Sequence, residues 1–332
     1  MRAINTFLLI TCLAVAGCGT TGETSLPGSG LREVMGRLSA DGPAATYLDY
    51  GDMAHWRALG VVTADGLGDD RRWLAAVGYG FGDLASRIDL LPERTGIKAF
   101  ATDRAVSVGR PPDTAVRLEG GLDAAAISEK LTALGAKPRT IGGQEGLTFA
   151  PDHEIRQTRL TAELGLVTQL NQVVVTRSAL VAGAAAAPVA AALGGGGSTL
   201  DDRPEHVAVA ECLGDVVTAT VFAPQQPAGV SLYGVGLRRP AGPGDQAVNV
   251  VCVLPRIAEV TQTFTSRFTL QAQVGGKPLV QLADKVEHDE VRSGDLTVRR
   301  ATVTIKQGGP VTLVHQMLQR VELSRLADPA AP

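Results

Sequence analysis

Apolar positions along this chain recur with a period near two in some stretches and with a helical period in others, and together they divide it into strands and helices. Stretches 99–109 and 114–119 alternate in part and flank Pro111-Pro112-Asp113, which predicts a hairpin. Asp123 precedes a helical pattern over 124–134 that puts Ile127, Leu131 and Leu134 on one face, with the aspartate as N-cap. Strands are predicted at 137–141 and 146–149 around Gly142-Gly143, and a further hairpin at 173–176 with 179–182. After an alanine-rich stretch at 184–193 and the flexible run Gly194-Gly195-Gly196-Gly197-Ser198, Asp201 or Asp202 is expected to cap a helix. That helix carries Pro204 in its first turn, where a missing amide costs nothing. Strands at 216–222, 231–237 and 247–254 follow, then a helix at 256–268 and a hairpin of 284–290 with 296–305 turning at Ser293-Gly294-Asp295. A closing helix over 311–326 places Val314, Leu318 and Val321 on a common face.

The region before residue 99 is more broken. It reads as a short helix at 31–38, a break at Gly42-Pro43, an extended piece at 45–50 and a helix capped by Asp52. A second helix is expected over 70–91, weakened by Gly78, Gly80 and Gly82 at about 1 kcal/mol each against alanine, and ended by Pro92.

This order predicts an α+β fold of mainly antiparallel sheets with packed helices. Val106-Ser107-Val108-Gly109-Arg110 can be laid beside Tyr233-Gly234-Val235-Gly236-Leu237, and in both places a second strand and then a helix follow. The match suggests a duplicated strand-strand-helix unit in two lobes, 31–193 and 198–327, divided at the glycine run.

The N-terminus carries a different pattern. Arg2 gives a thin positive start, and 7–16 is an apolar run of secretory-signal length, too short for a comfortable membrane span. Val15-Ala16-Gly17-Cys18 then resembles the lipobox of bacterial lipoprotein precursors. The resemblance implies that residues 1–17 are removed as a signal peptide and that Cys18 becomes a lipidated, palmitate-bearing N-terminus. It also implies that the protein sits on the extracytoplasmic face of the cell membrane. The alternatives are an ordinary signal peptide and an uncleaved anchor helix. Residues 18–30 are small and polar without periodicity, as a tether would be, and about twelve such residues reach at most about 40 Å. No later stretch of apolar residues is long enough to span a bilayer, so the membrane contact expected is through the lipid alone.

Composition narrows the partners. Charged residues are 20% of the 332, interspersed, with a net charge of −3, and no basic arm or stripe points to nucleic acid. Aromatics are only 4%, and Trp56, Trp73, Tyr47, Tyr50 and Tyr79 all lie in the first quarter, so the core is built from Ala, Val and Leu. Of four cysteines, Cys12 leaves with the signal and Cys18 takes lipid. Cys212 and Cys252 remain, and in an oxidising compartment they either pair or stay as two buried thiols that behave as small hydrophobes. A bridge between them would close a loop of about forty residues, worth roughly 4 kcal/mol in the chain-entropy model.

His55, His153, His206, His288 and His315 are scattered, and no two stand at metal-ligand spacing. His288 lies among Asp284, Glu287, Asp289 and Glu290, which either bind a cation or form a solvated face, and strand alternation favours the face. Gly78-Tyr79-Gly80-Phe81-Gly82 is glycine-rich but lacks the Lys-Ser/Thr ending of a phosphate loop and follows helical sequence, so it reads as a helix break. No nucleophile elbow or Cys-His arrangement stands out. The sequence thus predicts a protein that is not an enzyme and has no cofactor.

Gly121-Leu122-Asp123-Ala124-Ala125, Gly146-Leu147-Thr148-Phe149, Leu180-Val181-Ala182-Gly183 and Ser198-Thr199-Leu200-Asp201-Asp202, in that order, resemble a group of bacterial extracytoplasmic proteins whose shared domain has no assigned function. The resemblance covers roughly residues 99–225 and implies an α+β body and no catalytic residues. Two functions fit these readings. One is a lipoprotein that binds a lipid or other amphiphile in an apolar pocket between sheet and helices. The other is a non-enzymatic interaction or structural protein of the envelope. The anchor is tested directly: the full-length chain is expected to incorporate labelled palmitate and fractionate with membranes. The Cys18→Ser variant should lose the label, and a variant that keeps it would refute lipidation at this residue.

Overall fold

The computed structural model describes residues 29–69, 71–224 and 229–329. The expected signal segment, Cys18 and most of the tether lie outside the described residues, as does Asp70. The body is α+β, built on one twelve-stranded sheet in which every neighbouring pair is antiparallel.

Numbered within this sheet, the first seven strands are β1 (Tyr47–Asp52), β2 (Arg104–Arg110), β3 (Asp113–Glu119), β4 (Lys137–Ile141), β5 (Gln144–Thr148), β6 (Gln172–Val175) and β7 (Ala179–Gly183). The remaining five are β8 (Val216–Phe222), β9 (Val230–Arg238), β10 (Val248–Pro255), β11 (Ala283–Ser293) and β12 (Leu296–Ile305). Their spatial order is β11-β12-β10-β9-β8-β1-β2-β3-β7-β6-β5-β4. The principal helices are α1 (Ser29–Met35), α2 (Met53–Ala58), α3 (Ala124–Ala133), α4 (Ala186–Leu193), α5 (Pro204–Leu213), α6 (Ala258–Arg267), α7 (Leu313–Gln319) and α8 (Glu322–Ala327).

The two halves of the chain repeat one topology outward from the centre. Each has three strands in succession, then a helix, then a small hairpin, then two strands that return so that the last pairs with the third. In the first half these are β1-β2-β3, α3, the β4–β5 hairpin and β6-β7; in the second they are β8-β9-β10, α6, a hairpin of 273–274 with 277–278, and β11-β12. The segments matched in sequence, 106–110 and 233–237, lie on β2 and β9, which are equivalent strands of the two units. Pairing of β1 with β8 joins the units into one sheet, with Tyr47 opposite Phe222 and Gly51 opposite Thr218.

Because the strands are apolar on alternate residues of both sets, the sheet has to be covered twice. On one face, Met53, Trp56, Trp73, Phe81, Leu118, Leu131, Leu180, Val235, Val253, Phe264, Phe268 and Met317 form a core under α2, α3, α6, α7 and α8. On the other, Leu31, Met35, Leu48, Tyr50, Val106, Val181, Val189, Val209, Leu213, Val250 and Leu254 pack beneath α1, α4 and α5. Helix α5 approaches so closely that a Cβ on Gly234 would stand 2.6 Å from Val209 Cγ1. Cys212, in its last turn, is disulfide-bonded to Cys252 of β10, and the Arg300 guanidinium donates to the Cys212 carbonyl at 3.3 Å.

Several boundaries depart from the sequence reading. The expected helix over 70–91 is a chain of short turns, Leu74–Val77, Gly82–Arg87 and then Leu91–Thr95, and Pro92 lies in the first turn of the last of these instead of ending a helix. Gly80 is the cause: its φ of +83° is incompatible with a continuing right-handed helix. The closing helix is likewise two, α7 and α8, divided at Val321 with φ +60°. Neither Asp201 nor Asp202 caps α5. Asp202 instead closes a capping box with Thr199 around the turn Leu200–Asp202, accepting from the Thr199 amide at 2.7 Å. The caps at Asp52 and Asp123 form as expected, on the amides of His55 and Ala126.

The disulfide spans 40 residues, and loop closure over that length is worth about 4 kcal/mol in the chain-entropy model. The Cys212→Ala/Cys252→Ala double variant is expected to lose about that much unfolding free energy in urea titration. A loss below about 1 kcal/mol would show that the two halves of the α5–β10 contact hold without it.

Candidate functional site

At the centre of the sheet, on the face covered by α2 and α7, three polar residues replace the apolar row. Register places Asp49 of β1 between Ser107 of β2 and Thr220 of β8. Thr220 Oγ1 donates to Asp49 Oδ1 at 2.7 Å, and the Gly80 amide donates to Oδ2 at 2.8 Å. The Gly80 contact exists because 78–82 crosses directly over the sheet: a Cβ on Gly80 would lie 2.0 Å from the Ala105 carbonyl oxygen. The glycine-rich motif is therefore a backbone crossing that supplies one hydrogen-bond donor to a buried carboxylate.

Asp49 is buried and makes no ion pair among the described residues. Burial pushes its carboxyl up to about 6, against the two hydrogen bonds that favour the ionised form. Tyr79 stands next to it, its ring 4.3 Å from that of His315, and burial pushes the phenol of Tyr79 up, with Asp49 and a hydrogen bond to Thr312 as secondary influences. His315 is fully buried on α7 with neither ring nitrogen partnered, and burial holds it down to about 3, so the imidazole is neutral. The hydroxyls of Thr218 and Tyr233 on the neighbouring strands are also buried and unpartnered.

A cleft of about 270 Å³ opens onto this row. Asp49, Ser107, Val116 and Ala182 form one row of its floor across β1, β2, β3 and β7; Tyr47 and Pro111 also line it, and Asp83 and Arg110 bring opposite charges. The Arg110 guanidinium is turned to the Ala223 carbonyl at 2.6 Å. The cleft lies at the small end of ligand-pocket sizes and corresponds to roughly nine water volumes. Its lining mixes polar with apolar side chains, the apolar surface predominating.

The other residues singled out in the sequence are engaged elsewhere. His288 Nε2 lies 2.7 Å from the Phe268 carbonyl, while Asp289 pairs with Arg300, Glu290 with Arg299 and Glu287 with Lys285. No group of three or more metal-binding side chains occurs among the described residues. Cys212 and Cys252 are joined on the opposite face, away from Asp49. That face also holds the best-compensated charges: Glu119 accepts from Arg117 and from Arg37, each at 2.6 Å, and Arg117 donates to the carbonyls of Ala192 and Leu193 at the end of α4.

Sequence reading missed Asp49, Ser107 and His315. Asp49 alternates with Leu48 and Tyr50 as on any half-buried strand, and only distant segments bury it. Nothing local marks His315.

No protein-family model and no curated protein sequence matches this chain, so the resemblance drawn from 99–225 gains no support from them. Among solved structures, crystal form IV of TP0453 matches with a TM-score of 0.37 and 10% identity, covering 88% of this chain and 95% of that one. No residue role is transferred from it. No helix among the described residues is long and apolar enough to cross a membrane.

The two buried titratable groups make opposite contributions to stability. The raised Asp49 contributes fully below its ordinary value of 3.8 and loses that contribution as pH rises through about 6. The depressed His315 contributes above 6.5 and loses it as pH falls toward about 3. Between about pH 4 and pH 6 the slopes oppose each other at up to about 1.4 kcal/mol per pH unit each. On acidification through this window, Asp49→Asn is expected to lose stability relative to wild type and His315→Phe to gain it, as read by urea unfolding. Parallel pH profiles for all three proteins would refute the assignment.

Proposed function

We propose that this protein is a lipid-anchored, extracytoplasmic, non-enzymatic binding protein whose folded body takes the head and short apolar portion of a small amphiphile. The anchor rests on the sequence around Cys18. The binding reading rests on one observation: the cleft of about 270 Å³ over the first unit's part of the sheet is lined both by the polar Asp49, Ser107 and Tyr47 and by the apolar Val116, Ala182 and Pro111. Such a lining fits a molecule that is polar at one end, and the volume favours a small one over a whole two-chain lipid.

A saturation-transfer NMR screen of four-carbon alcohols, acids and amines against the full-length protein in non-ionic detergent is the test. At least one is expected to bind wild type and to lose binding in Ser107→Leu, whose side chain fills the floor. Ser107→Leu is itself expected to cost about 1–3 kcal/mol of stability through overpacking. A screen without a Ser107-sensitive binder would overturn the proposal, as would a phospholipid bound equally by both proteins.

A further inference from the structure

Building on the reading of the cleft as a small-amphiphile site, the geometry points to a cationic head: we infer that the cleft selects a primary ammonium group, received by Asp49, Ser107 and Tyr47. Three observations carry this. First, Asp49 is a buried carboxylate with no cationic side chain bonded to it, and a buried charge is ordinarily compensated by an opposite one. On the opposite face Glu119 and Glu33 are each paired with arginines, whereas Asp49 is bonded only to Gly80 and Thr220. Second, the carboxylate has acceptor capacity left. Gly80 N–H and Thr220 O–H occupy two of roughly four lone-pair sites, and an ammonium brings three donors and no acceptor. Ser107 and Tyr47 line the same cleft and carry hydroxyls able to accept as well. Third, the carboxylate is held rigidly, from β8 through Thr220 and from the 78–82 crossing through Gly80, so it is oriented before anything binds.

The charged and titratable groups facing the floor are Tyr47 on the same strand, Tyr79 on the crossing segment, Asp83 beyond it and Arg110 on β2. Asp83 and Arg110 offset each other in sign, and Arg110 is engaged with the Ala223 carbonyl. Both phenols are held protonated by burial, so Asp49 is the group on the floor whose charge changes near neutrality. An ammonium bound there stabilises the ionised carboxylate. Binding at lower pH therefore has to displace the Asp49 proton, and affinity falls as pH drops below the carboxyl's own titration.

The test is a titration of the full-length protein, labelled with 15N-glycine and held in non-ionic detergent, with n-butylammonium, n-butanol and butyrate in parallel. The Gly80 amide bonds Asp49 directly and is the reporter. Butylammonium at pH 7.5 is expected to shift the Gly80 resonance saturably, with at least about tenfold higher affinity than butanol, and butyrate should give no shift. At pH 5 the butylammonium affinity should fall by about tenfold or close to it. Asp49→Asn, with its disulfide intact and its spectrum dispersed, should lose the preference for the amine. Equal binding of butanol and butylammonium, or a folded Asp49→Asn that keeps the preference, overturns the ammonium assignment and leaves the cleft reading standing. No shift from any of the three compounds overturns both. Should Asp49→Asn fail to fold, the wild-type pH series decides: equal butylammonium affinity at pH 5 and 7.5 refutes the role of Asp49.

Discussion

Everything in this structure depends on the antiparallel pairing of β1 with β8. It is the one strand pair that joins the two topological units, and it lies in the middle of a sheet whose both faces must be covered. The bonds that cross it extend well beyond the ladder. Thr220 donates to Asp49, Arg239 reaches Asp52 at 2.8 Å, the Ala223 amide donates to the Thr46 carbonyl at 3.0 Å, and Arg110 holds the Ala223 carbonyl. Side chains at this seam are thus positioned by both halves at once, which is how a cleft floor can be rigid without a metal or a second disulfide near it.

The two faces of the sheet treat buried carboxylates differently. On the α1–α4–α5 face, Arg117, Arg37, Glu119, Arg104 and Glu33 satisfy one another, and the arrangement ties α1 and the end of α4 to β3. On the α2–α7 face, Asp49 keeps an uncompensated charge and His315, Thr218 and Tyr233 keep unpartnered polar atoms. Each such group costs about 1–3 kcal/mol when left unsatisfied, a sizeable share of a net stability of about 5–15 kcal/mol. Unpartnered polar atoms occur on the other face as well, at Tyr50 and His206, so what sets Asp49 apart is a buried carboxylate without an ion pair.

Much of the scaffold was legible in the residues. Turn chemistry at 111–113, 142–143 and 293–295 marked the hairpins, Asp52 and Asp123 marked helix starts, and the pair Cys212 and Cys252 marked the link of α5 to the sheet. The repeat was visible as similar strands at 106–110 and 233–237, although the glycines there serve different purposes. Gly109 takes a φ of +80° at the end of its strand, whereas Gly234 makes room for α5. What was illegible depended on distant contact. Apolar spacing over 70–91 and 311–326 predicted continuous helices, but Gly80 and Val321 adopt left-handed backbone. The site was hidden for the same reason: Tyr47-Leu48-Asp49-Tyr50 alternates like any half-buried strand, and only the second covering layer turns its polar face into a buried floor.

The seam also dictates an order of assembly. Asp49 and Thr220 are 171 residues apart, so β1 has a bare outer edge until the second unit has been made and brought alongside. Helix α1 waits as well, because Arg32 finds Asp201 and Glu211 only in that later segment. Contacts of such long sequence separation form slowly, and an uncovered strand edge invites pairing with another chain. A translation product that stops in the glycine run would hold a nearly complete seven-stranded half sheet with its central edge open, and its natural mate would be a second copy of itself.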